Sequence, residues 1–196
     1  DHFCLPERYM DPFGNEMTLN YDGLYDLYVK SSTDHLGNTV SVESFDYRVL
    51  QPSEMKDMNN NLSEILFDAL GMPIAMALKG KGTEGDNLDG YDETIIHPSL
   101  NSIINFFSWN CEEESTNTED YLEIDARKFL GNATARYIYY LGEKMNGDTI
   151  NWENHPACAC DIVREKHVAS LNTGEQSHIQ MTFEYSDGMG TVLVKK

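Results

Sequence analysis

Apolar and polar residues alternate with a period of two in many short segments of the chain, and this pattern predicts an all-β fold. The clearest segment is residues 178–185, where Ile179, Met181, Phe183 and Tyr185 share one face. Asp187-Gly188 then predicts a turn. No internal repeat stands out in the pattern. The predicted strands cover residues 16–20, 24–30, 40–50, 135–141, 162–170, 178–185 and 191–194.

Three segments depart from the alternating pattern. Residues 63–71 combine helix formers with apolar residues at helical spacing and end at Gly71, so they predict a short helix that stops before Pro73. Residues 80–93 and 112–125 are acidic and polar. We expect both to be surface loops that carry much of the charge.

Composition narrows the class of protein. The chain has 196 residues and a formal net charge of −19. A charge of this sign repels nucleic acid and anionic membrane surfaces, so neither is an expected partner. Because 40% of the residues are hydrophobic, the chain has enough apolar surface for one sizeable core. We expect a single domain over residues 1–196.

Several features indicate a secreted chain. The sequence begins with Asp1 and contains four cysteines, an even number that is typical of disulfides in an oxidising compartment. The sequons at Asn61 and Asn132 have a hydroxyl residue two positions on, as N-glycosylation requires. No apolar run approaches the length of a membrane-spanning helix. We therefore expect a secreted, extracellular glycoprotein whose leader peptide has been removed.

The cysteines are Cys4, Cys111, Cys158 and Cys160. Residues two apart on a strand point the same way, so a bridge between Cys158 and Cys160 would be strained, which leaves two possible pairings. His155 and His167 lie near these cysteines and offer zinc ligands, but their spacing is irregular for zinc. Disulfide bonding is therefore the favoured role of the cysteines.

The sequence contains none of the common catalytic motifs, which favours a protein that is not an enzyme. A nucleophile elbow, a zinc-protease helix, a phosphate-binding loop and a dinucleotide fingerprint are all absent. The acidic loop 80–93 offers oxygen ligands for calcium, but it lacks the EF-hand order, and a solvated charge run is the commoner role of such a loop. The candidate calcium ligands are Glu84, Asp86, Asp89 and Asp92.

Aromatic and methionine side chains are the remaining chemical feature. The chain has nine Met, eleven Tyr, eight Phe and two Trp. Such side chains mostly fill cores, and they also line pockets for long apolar ligands. The candidate ligand-binding residues are Tyr137, Tyr139, Tyr140, Met181 and Phe183.

Short motifs at both ends of the chain resemble the ependymin-related secreted glycoproteins. At the start, Cys4 and Pro6 lead into residues 20–30, which resemble the family's opening with its Tyr-Asp pair. Residues 160–165 resemble its Cys-x-Pro-Val-x-Glu segment, with isoleucine where proline is usual. Residues 181–185 resemble its closing aromatic strand.

The resemblance implies two curved antiparallel sheets stacked around a deep hydrophobic pocket. It also implies calcium binding, a homo- or heterodimer with a related chain, and a bridge between Cys4 and Cys160, which leaves Cys111 with Cys158. The expected function is a secreted non-catalytic carrier that holds a fatty acid, another lipid or a carotenoid between two sheets. The alternative from a different class is a calcium-dependent matrix or cell-adhesion glycoprotein.

Overall fold

The computed structural model describes residues 3–108, 118–147, 149–152, 156–187, 189 and 191–195. In this part of the chain the strands are β1 Arg8–Met10, β2 Glu16–Tyr21, β3 Val29–Thr33, β4 Thr39–Asp46, β5 Gln51–Lys56, β6 Leu62–Phe67, β7 Pro73–Gly80, β8 Ala135–Tyr140, β9 Glu143–Asn146, β10 Thr149–Trp152, β11 Ala157–Arg164, β12 Ile179–Ser186 and β13 Val192–Lys195. The helices are α1 Glu93–Ile96, α2 Leu100–Ser108, α3 Thr118–Leu130 and a short 3-10 helix at Val168–Ser170. None of these described helices has the length and apolarity needed to cross a membrane.

Eleven of the strands form one antiparallel sheet whose spatial order follows the chain, from β1 to β8 and then from β11 to β13. β9 and β10 pair with each other as a separate hairpin. The three α-helices lie in the long connection between β7 and β8. This architecture confirms the prediction of a mainly β fold. The described residues form one large sheet and the small β9–β10 hairpin. The two stacked sheets implied by the resemblance are not seen among these residues.

Three hairpins in the first half of the sheet close with the same five-residue turn, and the turns are 23 residues apart. They begin at Asp11, Asp34 and Asp57. In each turn one carboxylate oxygen accepts the backbone N–H groups of the second and fourth residues on, and the other oxygen accepts an Asn side-chain amide, all at 2.8–2.9 Å. Turns at Asp68 and Asp187 share the backbone part of this arrangement. The chain therefore contains an internal repeat that the apolar pattern did not reveal.

The fourth position of these turns explains the sequence signature Asp-x-x-Gly-Asn. Gly14 and Gly37 have φ values of +86° and +85°, and Asn60 takes the same place in the third turn with a φ of +65°. Glycine enters this left-handed region without steric cost, and asparagine is among the few other residues that tolerate it. The repeat is thus specified by turn chemistry rather than by apolar periodicity.

The repeated turns predict a loss of stability in acid. Hydrogen bonds from Asn15, Asn38 and Asn61 lower the pKa of the turn aspartates below 3.8. Because the folded-state pKa is the lower one, this stabilisation is fully present above the unfolded pKa and is lost as the pH falls through the folded pKa. Chemical unfolding of the native chain between pH 6 and pH 2 should show the free energy of unfolding decline below about pH 4.

A triple variant tests that the turns cause this decline. Replacing the three turn aspartates by asparagine should lower stability at neutral pH and flatten the acid dependence. The matched control is Asp89→Asn, because Asp89 is an exposed loop aspartate whose carboxylate has no hydrogen bond among the described contacts. Equal acid slopes in the triple variant and the native chain would show that other carboxylates dominate.

The helix predicted for residues 63–71 is wrong. Residues 62–67 form strand β6, which pairs with β5 on one side and β7 on the other. The segment then turns at Asp68, whose carboxylate accepts the N–H groups of Leu70 and Met72. Pairing on both sides outweighs the helical propensity of this short segment, because tertiary context overrides a weak local preference.

Several other predicted boundaries also need correction. Residues 118–125, predicted as loop, belong to α3, while residues 112–117 lie outside the described part of the chain. Residues 24–28 form an irregular loop in which the Asp22 carboxylate accepts the N–H groups of Tyr25 and Leu27. The strand predicted at 162–170 begins earlier, at Ala157, and ends at Arg164. The strand predicted over 40–50 ends at Asp46.

The core lies between the helices and one face of β8, β11 and β12. Phe106 and Phe107 of α2 and Ala126 and Leu130 of α3 pack on this face. The register aligns Cys160 with Ile138 on one side and Phe183 on the other, so these residues share the covered face. The predicted apolar face of β12 is confirmed, since all four of its members belong to or pack against this core.

Candidate functional site

The five predicted ligand-binding residues are divided between two places. Tyr140, Met181 and Phe183 are on the core face beneath the helices. Phe183 stacks on Phe106 with 6.0 Å between ring centroids, and Tyr140 stacks on Phe107 at 5.7 Å. These side chains fill the core.

The other two, Tyr137 and Tyr139, line a cavity where the helices meet the ends of the strands. The hydroxyl of Tyr139 donates to the carbonyl oxygen of Pro73 at 2.8 Å. Burial raises the pKa of Tyr139, so the hydroxyl stays protonated at neutral pH. These two tyrosines therefore lie at a cavity, and ligand binding by them stays a prediction.

An apolar face extends across β1–β7 on the side of the sheet opposite the helices. The strand register shows that a series of apolar side chains, from Tyr9 on β1 to Leu78 on β7, lies on the same side of the sheet. Tyr9, Met17, Met55 and Leu78 are exposed on it, and Val42 is buried. We call this surface the apolar face, and its members are Tyr9, Met17, Leu19, Val40, Val42, Met55, Ile65, Met76 and Leu78.

The reverse side of strands β2–β4 is polar. Its residues are small hydroxyl and amide side chains that bond to one another across the strands: Asn20 donates to Ser31 at 3.1 Å, and the hydroxyls of Thr33 and Thr39 are 2.9 Å apart. Alternation of one apolar and one polar face is typical of an antiparallel sheet with a covered side and a solvated side. The main contacts of the described helices are with β8 and β11, so the helices cover the far end of the sheet rather than the polar side of β2–β4, and the apolar side faces away from them.

A cavity of about 260 Å³ lies where the β6–β7 turn, the end of β8 and the α1–α2 connection meet. We call it the junction cavity. Its lining is mainly apolar, and it also contains Arg136. The lining residues are Asp68, Leu70, Met72, Ile74, Ile96, His97, Pro98, Ile103, Arg136, Tyr137, Ile138, Tyr139, Leu141 and Glu143.

Arg136 is a charged side chain at the centre of this junction, and it is only 1% exposed. Its Nη1 donates to the Ile74 carbonyl oxygen at 3.1 Å and its Nη2 to the Ile95 carbonyl oxygen at 2.6 Å, which ties α1 to the sheet. The Tyr91 ring centroid lies 5.7 Å from its guanidinium carbon. Nε has no hydrogen-bond partner. Burial lowers the pKa of Arg136 and raises that of Tyr91 to about 12.

Asp86 forms a second buried polar cluster. Its carboxylate accepts the Thr134 hydroxyl at 2.6 Å, the Val168 N–H at 2.7 Å, and pairs with His167 Nδ1 at 2.7 Å. Arg164 Nε lies 3.6 Å away. An Asp–His pair of this kind occurs in catalytic triads, but the described contacts give His167 no hydroxyl or thiol nucleophile. The cluster fastens the β7–α1 loop to the end of β11.

The four predicted calcium ligands do not converge. Asp86 is buried in its own cluster, while Asp92 caps α1 by accepting the N–H groups of Thr94 and Ile95. Asp89 is exposed, as is Glu84, which lies beside Gly80. Within the described residues no group of three or more His, Cys, Asp or Glu side chains could hold a metal ion. Calcium binding stays a prediction.

None of the described cysteines forms a disulfide bond in the structure. Cys158 and Cys160 are buried on the core face, whereas Cys4 is exposed, so the Cys4–Cys160 bridge implied by the resemblance is not formed. Cys111 lies outside the described residues, as does His155. Burial raises the pKa of Cys160, so its thiol is protonated and unreactive at neutral pH.

Both sequons are engaged in the fold. The Asn61 side chain donates to Asp57 at 2.9 Å as part of a repeated turn. Asn132 is exposed, but the hydroxyl of its sequon, on Thr134, is buried against Asp86. Glycosylation at either position stays a prediction.

Known proteins similar to this chain were found by structure and not by sequence. No family model matches the chain, and no curated protein matches it. A chain in the crystal structure of TcdB2-TccC3-Cdc42 aligns with 98% of this chain at a TM-score of 0.60 and 18% sequence identity. The match establishes the fold alone. The aligned region makes up 10% of that chain, so the present chain spans about a tenth of its length.

Arg136 and the apolar face were missed by reasoning from the sequence. A signal for Arg136 was present, because it lies in an otherwise apolar and aromatic strand at a position that points to the core. The apolar face has members on six strands, and recognising it requires the register of all of them. Each single strand, such as β2, shows only one or two of its residues.

Proposed function

We propose that the chain is a non-catalytic binding module that holds a long apolar molecule against its apolar face. The observation that carries this proposal is the separation of an uncovered apolar side from a polar side across β1–β5. Large exposed apolar patches on a soluble protein mark sites that are covered by a ligand or a partner. Desolvation supplies the binding free energy, at about 2.5 kcal/mol for each 100 Å² of apolar surface removed from water.

The size of the apolar face suits an elongated ligand. Seven neighbouring strands span six spacings, which gives a width of about 29 Å at about 4.8 Å per spacing. A long acyl or polyene chain laid across the strands would contact one or two side chains on each strand. A fatty acid, another lipid or a carotenoid remains the proposed ligand class.

A ligand that lies on one sheet keeps its other side exposed to water. The proposal therefore includes a second apolar surface that covers this exposed side. The two stacked sheets implied by the ependymin resemblance would arise if the apolar face of a second copy closed over the ligand. The apolar face covers about 500 Å², from its width and a strand length of about 17 Å, so two copies would bury about 1,000 Å². That area is at the lower end for a specific interface.

The structural neighbour supports a role inside an assembly. It belongs to the crystal structure of TcdB2-TccC3-Cdc42, and the fold described here corresponds to about a tenth of one chain in that structure. In such an assembly, the present chain would contribute its sheet to a larger surface that covers the apolar molecule. The open edges at β1 and β13 leave backbone groups available for that continuation.

A matched pair of double variants tests the apolar face. Met17→Lys with Met55→Lys places two charges on the apolar face, and Thr18→Lys with Thr39→Lys places the same charges on the polar side. We expect the neutral dye Nile red to bind the native chain and the polar-side variant alike. The apolar-face variant should bind roughly tenfold more weakly, the loss that about 1.4 kcal/mol produces.

Unfolding curves of both variants control for a loss of fold. Equal dye affinity in the two variants would contradict the proposal. The natural ligand is sought by organic extraction and mass analysis of the natively purified chain, and a visible absorption band that shifts on extraction would identify a pigment. An empty extract together with calcium-dependent association would favour the matrix or adhesion role instead.

A further inference from the structure

The junction cavity is a separate site from the apolar face, and its unusual feature is the charge of Arg136. The guanidinium hydrogen-bonds two backbone carbonyl oxygens, and Nε has no partner. No carboxylate among the described residues lies within 4.0 Å of its nitrogens. Buried arginines are almost always paired with an anion, because an uncompensated buried charge is costly. The missing group is therefore an anion that the described part of the chain does not supply.

The lining of the cavity restricts what this anion can be. Ile74, Ile96 and Ile103 supply apolar walls, so a small inorganic ion would leave most of the cavity without favourable contacts. The two acidic lining residues are Asp68 and Glu143, and their carboxylates already accept backbone N–H groups of the chain. Their negative charges disfavour a ligand that carries more than one negative charge. A single carboxylate on an apolar body satisfies all of these conditions.

We propose that the junction cavity binds a small amphipathic monocarboxylate, with its carboxylate at Arg136 and its apolar part against Ile74, Ile96 and Ile103. A guanidinium suits this role because its N–H groups form a planar fork that matches a carboxylate. The size is consistent, since a cavity of about 150 Å³ holds benzene, and this cavity has about 260 Å³. The ligand class is thus an arylacetate or a short branched acid.

Calorimetric titration of the native chain with phenylacetate and with phenylacetamide tests the proposal. The two probes have the same shape and differ in charge. We expect phenylacetate to bind with a Kd of about 1 mM or lower and the amide to bind roughly tenfold more weakly, since hydrogen bonds to charged groups are the stronger ones. Equal affinities, or no binding of either probe, would overturn the proposal.

Three variants locate the site. Arg136→Met should remove the preference for phenylacetate over the amide. Because loss of Arg136 also removes its contacts to Ile74 and Ile95, a second variant, Ile96→Phe, fills the cavity and leaves Arg136 in place. It should weaken both probes, whereas Ile124→Phe, on an exposed position of α3 outside the cavity, should weaken neither. Unchanged phenylacetate binding in Ile96→Phe would place the ligand elsewhere and contradict the proposal.

The two proposals fail independently. The lysine variants of the apolar face lie on the opposite side of the sheet from α1 and α2, so they should not change phenylacetate binding. Arg136→Met should likewise leave Nile red binding to the apolar face unchanged. A variant that alters both readouts together would indicate a change of fold rather than the loss of one site.

Discussion

Replacing Phe106 by alanine is expected to lower the free energy of unfolding by about 3–5 kcal/mol. Phe106 is 1% exposed and its ring contacts Phe107, Phe129 and Phe183 at centroid distances of 5.4–6.0 Å. The ring joins α2 and α3 to β12, so its removal leaves a cavity where three elements meet. Equilibrium unfolding in urea measures the effect.

The matched control for this substitution is Phe13→Ala. Phe13 is 90% exposed in the first repeated turn, so its loss should change stability by no more than about 0.5 kcal/mol. If Phe106→Ala cost no more than Phe13→Ala, the helices would not be docked on the sheet in solution as the structure has them.

Replacing Asp86 by asparagine is expected to cost about 3 kcal/mol or more. The carboxylate has four donors around it, on Thr134, Val168, His167 and Arg164, and an amide would direct its own N–H groups at some of them. The change therefore leaves buried donors without an acceptor and a buried arginine without its nearest negative charge. Urea unfolding at pH 7 gives the size of the loss.

Two further variants test whether the loss of stability comes from the buried cluster or only from the removal of one negative charge. Asp89→Asn removes the same charge from an exposed position of the same loop and should be nearly neutral. Thr134→Val removes one donor of the cluster and should cost less than Asp86→Asn. A loss in Asp89→Asn equal to that in Asp86→Asn would mean that the loop responds to net charge and not to the cluster.

The strands could be predicted from the sequence where one face is buried. In β12 the residues Ile179, Met181 and Phe183 face the core, and their strict alternation fixed both the strand and its orientation. β8 was predicted equally well. Residues 63–71 failed because their helical spacing is also compatible with a strand that is paired on both sides. Short apolar segments cannot be assigned by periodicity alone.

The candidate sites were harder to predict from the sequence than the strands, because each site is formed by residues that lie far apart along the chain. Asp86 was selected for its charge as a calcium ligand, but its environment comes from Thr134 and His167, which lie far along the chain. Arg136 gains its significance from two carbonyl oxygens on other elements and from the carboxylate that it lacks. A single sequence does not show which charged residue will be buried without a group of opposite charge beside it.

The agreement between chain order and spatial order in the sheet has a consequence for synthesis. As a nascent chain leaves the ribosome, each hairpin up to β7 can pair with an edge that is already complete, so no strand waits for a distant partner. Local pairing of this kind favours rapid folding. β8 is different, because it pairs with β7 only after residues 81–134 have emerged. A pause in translation within that connection would leave the N-terminal hairpins folded while the aromatic core is still missing.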